Sequence, residues 1–238
     1  MKRTLENKIA VVTGGSGAIG SAIIAGLEQQ GACAVSLDVA RPAAAPFQAC
    51  DVRDDGAVAS AVAKVQQIYG RLDLVVHAAG VSREAVLWKL AVEDWDFVQS
   101  VNLRGAFLLL RHAIPVMRAG EGGRIVLIGS INGSRGKFGT SAYSASKAGL
   151  IALARTVARE VARLGILINV VEPGWVRTPL TDSLPQAVRD AALAESLVGR
   201  YVEPADVSAA VTFLCGPGAQ QITGQILRVD GGQSLGSV

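Results

Sequence analysis

The chain has 238 residues, of which 50% are hydrophobic, 18% charged and 5% aromatic. That balance supplies one large core and calls for no second domain. The net charge of +3 comes from Lys and Arg scattered along the chain, so no nucleic-acid surface is expected, and two histidines with three cysteines outside any ligand spacing (Cys33, Cys50, Cys215) leave no metal site expected.

Apolar runs of strand length alternate with helical patterns. KIAVVT (Lys8–Thr13) predicts a buried strand, Ile19–Gln30 a helix stopped by Gly31, and Ala34–Asp38 a second strand. RPAAAPF is a loop, and a short strand follows near Phe47–Asp51. Asp54–Tyr69 predicts a helix closed by Gly70, Leu72–His77 a strand, and Asp94–Met117 a helix broken near its middle. Arg124–Gly129, Ile166–Val171 and Gln225–Val229 read as strands, and Ala142–Leu164 and Pro204–Leu214 as helices. Thr178–Arg200 is helical in pattern but interrupts the rhythm, and is expected to form a mobile lid. The strands are continuously apolar rather than alternating, as in a parallel sheet covered on both faces. The expected fold class is therefore α/β: a single-domain, doubly wound Rossmann fold over residues 1–238, with a seven-stranded parallel sheet and helices on both faces. No apolar run reaches the ~18 residues of a membrane span, MKRTLENKIA has no signal-peptide core, and the sparse cysteines suit a reducing compartment, so a cytoplasmic location is expected.

Three stretches carry chemistry. VTGGSGAIGSAI (Val12–Ile23) joins the first strand to the first helix, where backbone N–H groups and the helix dipole meet a phosphate. Gly14 permits the sharp turn and Gly20 a close helix. Asp38 ends the second strand, where a carboxylate accepts the adenosine ribose hydroxyls and repels a 2′-phosphate. Val39 beside it is uncharged and the turn holds no Arg, although Arg41 is near. The expected cofactor is thus NAD rather than NADP. In TSAYSASKAG, Tyr143 and Lys147 share a helix face, so an ammonium stands beside a phenol that ordinarily ionises near pH ~10. Ser130 ends the strand RIVLIGS, at the edge of the sheet where ligands bind.

Over nearly its whole length the sequence resembles the short-chain dehydrogenase/reductase family. TGGSGAIG resembles the family's TGxxxGxG with Ala18 in place of one glycine; HAAG (His77–Gly80) stands where the family has NNAG; VNLRG holds Asn102; NVVEPGWVRT (Asn169–Thr178) and TGQILRVDGG match later segments. The resemblance implies a catalytic set of Asn102, Ser130, Tyr143 and Lys147. Tyr143 would be the general acid/base, Lys147 would lower its pKa and bind the nicotinamide ribose, Ser130 would orient the substrate oxygen, and the Asn102 backbone would hold a relay water. It also implies cofactor contacts from Gly14, Ser16 and Ile19, from Asp38, Asp51 and Val52, from His77, Ala79 and Gly80 through the backbone, and from Pro173, Val176 and Thr178. Glu172, before Pro173, is an unusual charge that either faces solvent or pairs with Arg135 or Arg177. The implied reaction interconverts a small-molecule secondary alcohol and a ketone. The pattern is closest to the β-ketoacyl carrier-protein reductases, so a hydroxyacyl/oxoacyl thioester or a small secondary alcohol is expected, in a pocket lined by Trp175, Leu180, Leu184, Leu193 and Leu197 unless those leucines pack the lid. A homotetramer joined through two long helices, Ala142–Leu164 and Asn102–Met117, and the C-terminal strand is implied too, with the tail GGQSLGSV extending to a neighbouring subunit. A regulator that binds nucleotide without turnover is the alternative.

Overall fold

A computed structural model describes residues 3–42 and 45–236, apart from the side chain of Leu180. The pocket role expected of Leu180, and the last two residues of the tail, therefore lie outside the described residues. The strands are β1 (Ile9–Thr13), β2 (Cys33–Asp38), β3 (Phe47–Ala49), β4 (Leu74–His77), β5 (Gly123–Ile128), β6 (Ile166–Pro173) and β7 (Ile226–Val229). All pair in parallel, in the order β3-β2-β1-β4-β5-β6-β7. The order reverses between β1 and β4, which opens a crevice at their C-terminal ends.

The apolar runs serve two cores, because successive side chains in a strand face opposite ways. Val11, Val35, Val75 and Ile125 pack beneath α2 (Asp55–Tyr69), α4 (Gly105–Ala119) and α6 (Ser141–Val161). Ala10, Val12, Val76 and Val126 pack on the other face against Ile23 and Leu27 of α1 (Ala18–Gln29) and Val207 and Val211 of α9 (Pro204–Cys215). Ser208 on α9 donates to the Ala22 carbonyl at 2.7 Å, and Gly26 leaves room for that approach.

Three features depart from the sequence expectations. The broken helix is α3 (Val92–Gln99), a π turn at Ser100–Arg104, and α4, so the chain stays helical where a break was expected. A short helix, α5 (Ile131–Arg135), follows β5 with Ser130 as its N-cap. The stretch 178–200, read as one helical pattern, is divided into two helices, α7 (Pro179–Asp182) and α8 (Gln186–Ala194).

Asp73 fastens the opposite end of the sheet. Its buried carboxylate accepts from Ile9 N at 2.9 Å, from Lys8 Nζ at 3.1 Å and from Arg71 at 2.5 and 2.8 Å. Burial pushes its pKa up, but these donors outweigh it and hold it below the usual carboxylate range. Asp73→Ala is expected to cost about 1–3 kcal/mol, because it leaves the buried Ile9 N–H without its acceptor and takes the shared partner from two half-exposed cations. Urea unfolding checks this. The carboxylate's contribution is present above the unfolded pKa near ~3.9 and fades as pH falls through the folded value. A cavity of about 240 Å³ lies beside it, remote from the crevice described next.

Candidate active site

At the crevice, Gly14 has φ +69°, and a Cβ there would sit 2.6 Å from Ala79 N. A Cβ on Gly20 would be driven into the Gly14 carbonyl. Backbone of the turn thus abuts backbone of the HAAG loop, and no side chain fits between them. Helix α1 starts at Ala18 with Gly17 as N-cap and no capping side chain, so its first N–H groups stay open to a ligand. The groove above has a volume of about 330 Å³ and is lined by Gly14, Ser16, Asp38, Asp51, Val52, Ala79 and Gly80, among others. A cradle that any Cβ would fill, next to uncapped N–H groups, fits the pyrophosphate of a dinucleotide. Ile19 sits in the first turn of α1 and packs against the core beneath.

Asp38 stands at the rim, already engaged. Its Oδ2 accepts from Ser16 N at 3.0 Å and Ser16 Oγ at 2.5 Å, and Oδ1 accepts from Ala40 N at 3.3 Å. A ribose hydroxyl approaching it would take the place of the Ser16 hydroxyl. Arg41 lies over the Phe47 ring at 5.1 Å. Asp51 is clamped by Arg53, which donates at 2.6–3.0 Å and holds the carboxyl below its usual range. Val52 is buried against Gly105.

The His77 side chain is 0% exposed, beneath the groove, which leaves its backbone as the part that a cofactor could meet. Its Nδ1 lies 2.9 Å from Thr13 Oγ1 and its Nε2 3.2 Å from the Asn102 carbonyl oxygen. Burial, then the charge of Lys147, pushes its pKa down to about 3, so the ring is neutral at any working pH.

The reacting end gathers four predicted residues. Asn102, buried in the π turn, accepts from Val81 N at 2.8 Å and donates to the Val81 carbonyl at 3.0 Å and Ser146 Oγ at 2.9 Å. It thereby pins the HAAG loop to α6. Lys147, one helical turn after Tyr143, is 4% exposed, donates to the Ile128 carbonyl at 2.7 Å, and has its Nζ 5.6 Å from the centre of the Tyr143 ring. Burial pushes its pKa down to about 8. Tyr143 departs from the sequence expectation. Burial raises its phenol above the ordinary range, hydrogen bonding with Ser130 opposes this, and Glu84 adds to the rise. In this arrangement the Lys147 ammonium is bonded to the Ile128 carbonyl. Ser130 is buried, and its Oγ accepts from Asn132 N at 3.2 Å.

The loop after β6 closes the far side. Pro173 ends β6 and Val176 is buried. Thr178 caps α7 reciprocally with Thr181, so its hydroxyl serves that helix. Glu172 neither faces solvent nor pairs with Arg135 or Arg177. It is 0% exposed, accepting from Ser134 Oγ at 2.8 Å and Arg228 Nε at 3.1 Å. Arg135 instead meets Glu195 at 2.8 Å, and Arg177 lies near Asp182 and Glu203. Gln233, which the sequence did not single out, joins the same region: its side chain accepts from Trp175 N and donates to Glu195, while its carbonyl accepts from Arg135. Leu184 and Leu197 are exposed and Leu193 half-buried, with Leu197 against Gly232.

A family model described as enoyl-(acyl carrier protein) reductase matches residues 16–234. The chain belongs to the short-chain dehydrogenase/reductase family. As a member it is an oxidoreductase acting on CH–OH and ketone groups. It is 35% identical over 241 residues to the 3-oxoacyl-[acyl-carrier-protein] reductase FabG of Thermotoga maritima, covering 96% of this chain and 98% of that one. It is 38% identical over 251 residues to the (3R)-3-hydroxyacyl-CoA dehydrogenase of Canis lupus familiaris, covering 96% of each. Among solved structures, gox2181 superposes with a TM-score of 0.94 at 31% identity, covering 98% and 97% of the two chains. The ligand-free aldohexose dehydrogenase of Thermoplasma acidophilum superposes at 0.91 and 29%, covering 97% and 95%. Among the described residues no helix of this family member is long and apolar enough to cross a membrane, and no group of side chains is arranged to hold a metal ion.

Proposed function

We propose that this enzyme interconverts a secondary alcohol and a ketone with NAD(H), and that its substrate is a 3-hydroxyacyl/3-oxoacyl thioester. The observation that carries the reading is the convergence of Ser130, Tyr143 and Lys147 beside a glycine cradle whose rim bears the Asp38 carboxylate. Bound in that cradle, a nicotinamide dinucleotide supplies the hydride acceptor or donor. Ser130 holds the substrate oxygen against the phenol. In oxidation Tyr143, as phenolate, takes the hydroxyl proton; in reduction it gives that proton to the forming alkoxide. Lys147 holds the ribose end and stabilises the phenolate once turned towards it. The Asn102 carbonyl anchors a water through which the proton leaves. The thioester class follows from the two full-length relatives named above, which differ in carrier but share the 3-oxo/3-hydroxy carbon. A homotetramer through α4 and α6 belongs to the same reading. Light scattering tests it, and a concentration-independent monomer contradicts it.

The direct test is turnover of acetoacetyl-CoA with NADH and with NADPH, beside a panel of cyclic alcohols and aldohexoses oxidised with NAD and NADP. Thioester turnover with NADH supports the proposal. An NADPH preference removes the cofactor assignment, and faster turnover of a sugar removes the substrate class. No turnover of any member leaves the nucleotide-binding regulator. Asp38 provides a sharper check. It is followed by Val39, 74% exposed and uncharged, while Arg41 rests on Phe47 and Arg53, which lines the groove, is tied to Asp51. Asp38→Asn is expected to reduce kcat/KM with NAD roughly 10- to 100-fold, the value of a hydrogen bond to a charged group, and to raise activity with NADP. Steady-state kinetics with both cofactors reads this out.

A further inference from the structure

His77 is one of only two histidines in the chain, and its ring is enclosed on all sides. Both ring nitrogens are nevertheless occupied, which fixes where the proton sits. The partner of Nε2 is the Asn102 carbonyl oxygen at 3.2 Å, an atom that can only accept. Nε2 must therefore carry the hydrogen. Nδ1 then has a lone pair and accepts the Thr13 hydroxyl hydrogen across 2.9 Å. The Thr13 oxygen in turn accepts from Ala79 N at 3.3 Å. The result is a directed chain: Ala79 N–H to Thr13 Oγ1, Thr13 Oγ1–H to His77 Nδ1, and His77 Nε2–H to Asn102 O. One end belongs to the HAAG loop that walls the cofactor groove. The other is the backbone carbonyl of the π turn.

That carbonyl sits in crowded surroundings. The Asn102 side chain is saturated by Val81 and Ser146, so it cannot steer its own carbonyl. A Cβ on Gly80 would be 3.3 Å from Lys147 Nζ and 3.6 Å from Asn102 Oδ1, which puts the ammonium, the loop and the π turn in one small space. The π turn also departs from the regular i+4 bonding pattern that holds carbonyls in an ordinary helix. The His77 Nε2–H is the side-chain donor that the Asn102 carbonyl meets.

We propose that His77 is a positioning residue, whose Nε2–H aims the Asn102 carbonyl for its part in the proton relay and ties that carbonyl to the glycine turn through Thr13. An oxygen accepting one hydrogen bond keeps a second lone pair for water, so His77 orients the atom without consuming it. This rests on the relay role given to Asn102 above. His77 moves no proton itself; it sets where the relay begins.

The test combines spectroscopy with two substitutions. Nitrogen-15 NMR of the histidine rings is expected to show His77 as the neutral Nε2–H tautomer; the Nδ1–H tautomer or an imidazolium near neutral pH overturns the proposal, whether or not the enzyme turns over the substrates tried. His77→Gln keeps an N–H near the Nε2 position and is expected to hold kcat within about threefold of wild type. His77→Leu fills the space without a donor and is expected to lower kcat roughly 10- to 100-fold, the cost of a slight misplacement, with KM for cofactor and substrate nearly unchanged. A folded Leu variant with wild-type kcat, or Gln and Leu variants equally impaired, shows a packing role only. Should the Leu variant not fold, the tautomer and the Gln variant still decide. Wild-type protein inactive on the whole panel counts against the proposed reaction, while the tautomer continues to test the hydrogen-bond chain.

Discussion

Tyr143→Phe is expected to fold normally, bind dinucleotide and lose roughly 10²- to 10⁴-fold in kcat, the range of a positioned general acid/base. The substitution removes one oxygen from a half-buried ring and leaves its packing intact. Ser130 keeps its bond from Asn132 N, so the partner hydroxyl is not stranded. What is lost is the proton acceptor beside the substrate oxygen. Binding calorimetry with NAD separates this from a folding or binding defect. Rates equal to wild type would place the proton transfer elsewhere. The raised phenol pKa adds a second expectation. Oxidation needs the phenolate, so its rate is expected to climb with pH, whereas reduction, which starts from the phenol, does not need that climb.

Lys147→Met is expected to lower activity strongly while raising stability at neutral pH. The folded protein holds this ammonium at 4% exposure with a pKa near 8, against an ordinary value of 10.5. Below about pH 8 both folded and unfolded chains carry the charge, and the folded one bears the full cost of burying it. Between about 8 and 10.5 the folded state has shed a proton that the unfolded state still holds, so stability rises with pH, by up to about 1.4 kcal/mol per unit. Above pH ~10 Tyr143 acts in the opposite sense. Its folded pKa is raised, the unfolded phenol ionises first, and stability falls. Urea unfolding of wild type and variant at pH 7, 8 and 9 reads the linkage. The advantage of the variant is expected to shrink as pH rises, less a constant loss for the Ile128 carbonyl left without its donor. An advantage that does not change with pH would show that the ammonium is not buried in solution. A side chain kept at a cost to the fold is best explained by the reaction it serves.

The strands were legible because both faces of the sheet are covered, which makes each strand a continuous apolar run with sharp ends. Asp38, Ser130, Tyr143 and Lys147 could be placed for the same reason, since each lies at a strand end or on a strongly patterned helix. Other parts depend on contacts distant in sequence. Glu172 could not be paired from the sequence, because Ser134 and Arg228 lie on α5 and β7. Gln233 gave no signal, as its three partners come from separate segments. Helix α5 spans only Ile131–Arg135, too short for periodicity to reveal, although a Ser at the end of a strand is itself a helix-start signal. The π turn was expected only as a break, because VNLRG has ordinary helical residues and the bonding shift leaves no compositional trace. The direction in which Lys147 points is likewise a matter of geometry: the four-residue spacing puts it near Tyr143 but does not choose between the phenol and the Ile128 carbonyl.

The π turn also sets a relation between the two ends of its helix. Each residue of a regular helix turns the chain by about 100° and advances it by about 1.5 Å. A π turn carries one residue more than the regular spiral would. The face that α4 lays on the sheet through Leu109, Ala113 and Met117 is thus out of phase with that of α3 by roughly one residue's rotation. Deleting a single residue between Ser100 and Arg104 would straighten the spiral, but it would then turn either α3 or α4 about its axis, bringing exposed side chains such as Phe107 or Arg111 towards the core. The irregularity is therefore locked in by ordinary core packing some distance away, so that His77 has only to aim the Asn102 carbonyl and not to hold the π turn open.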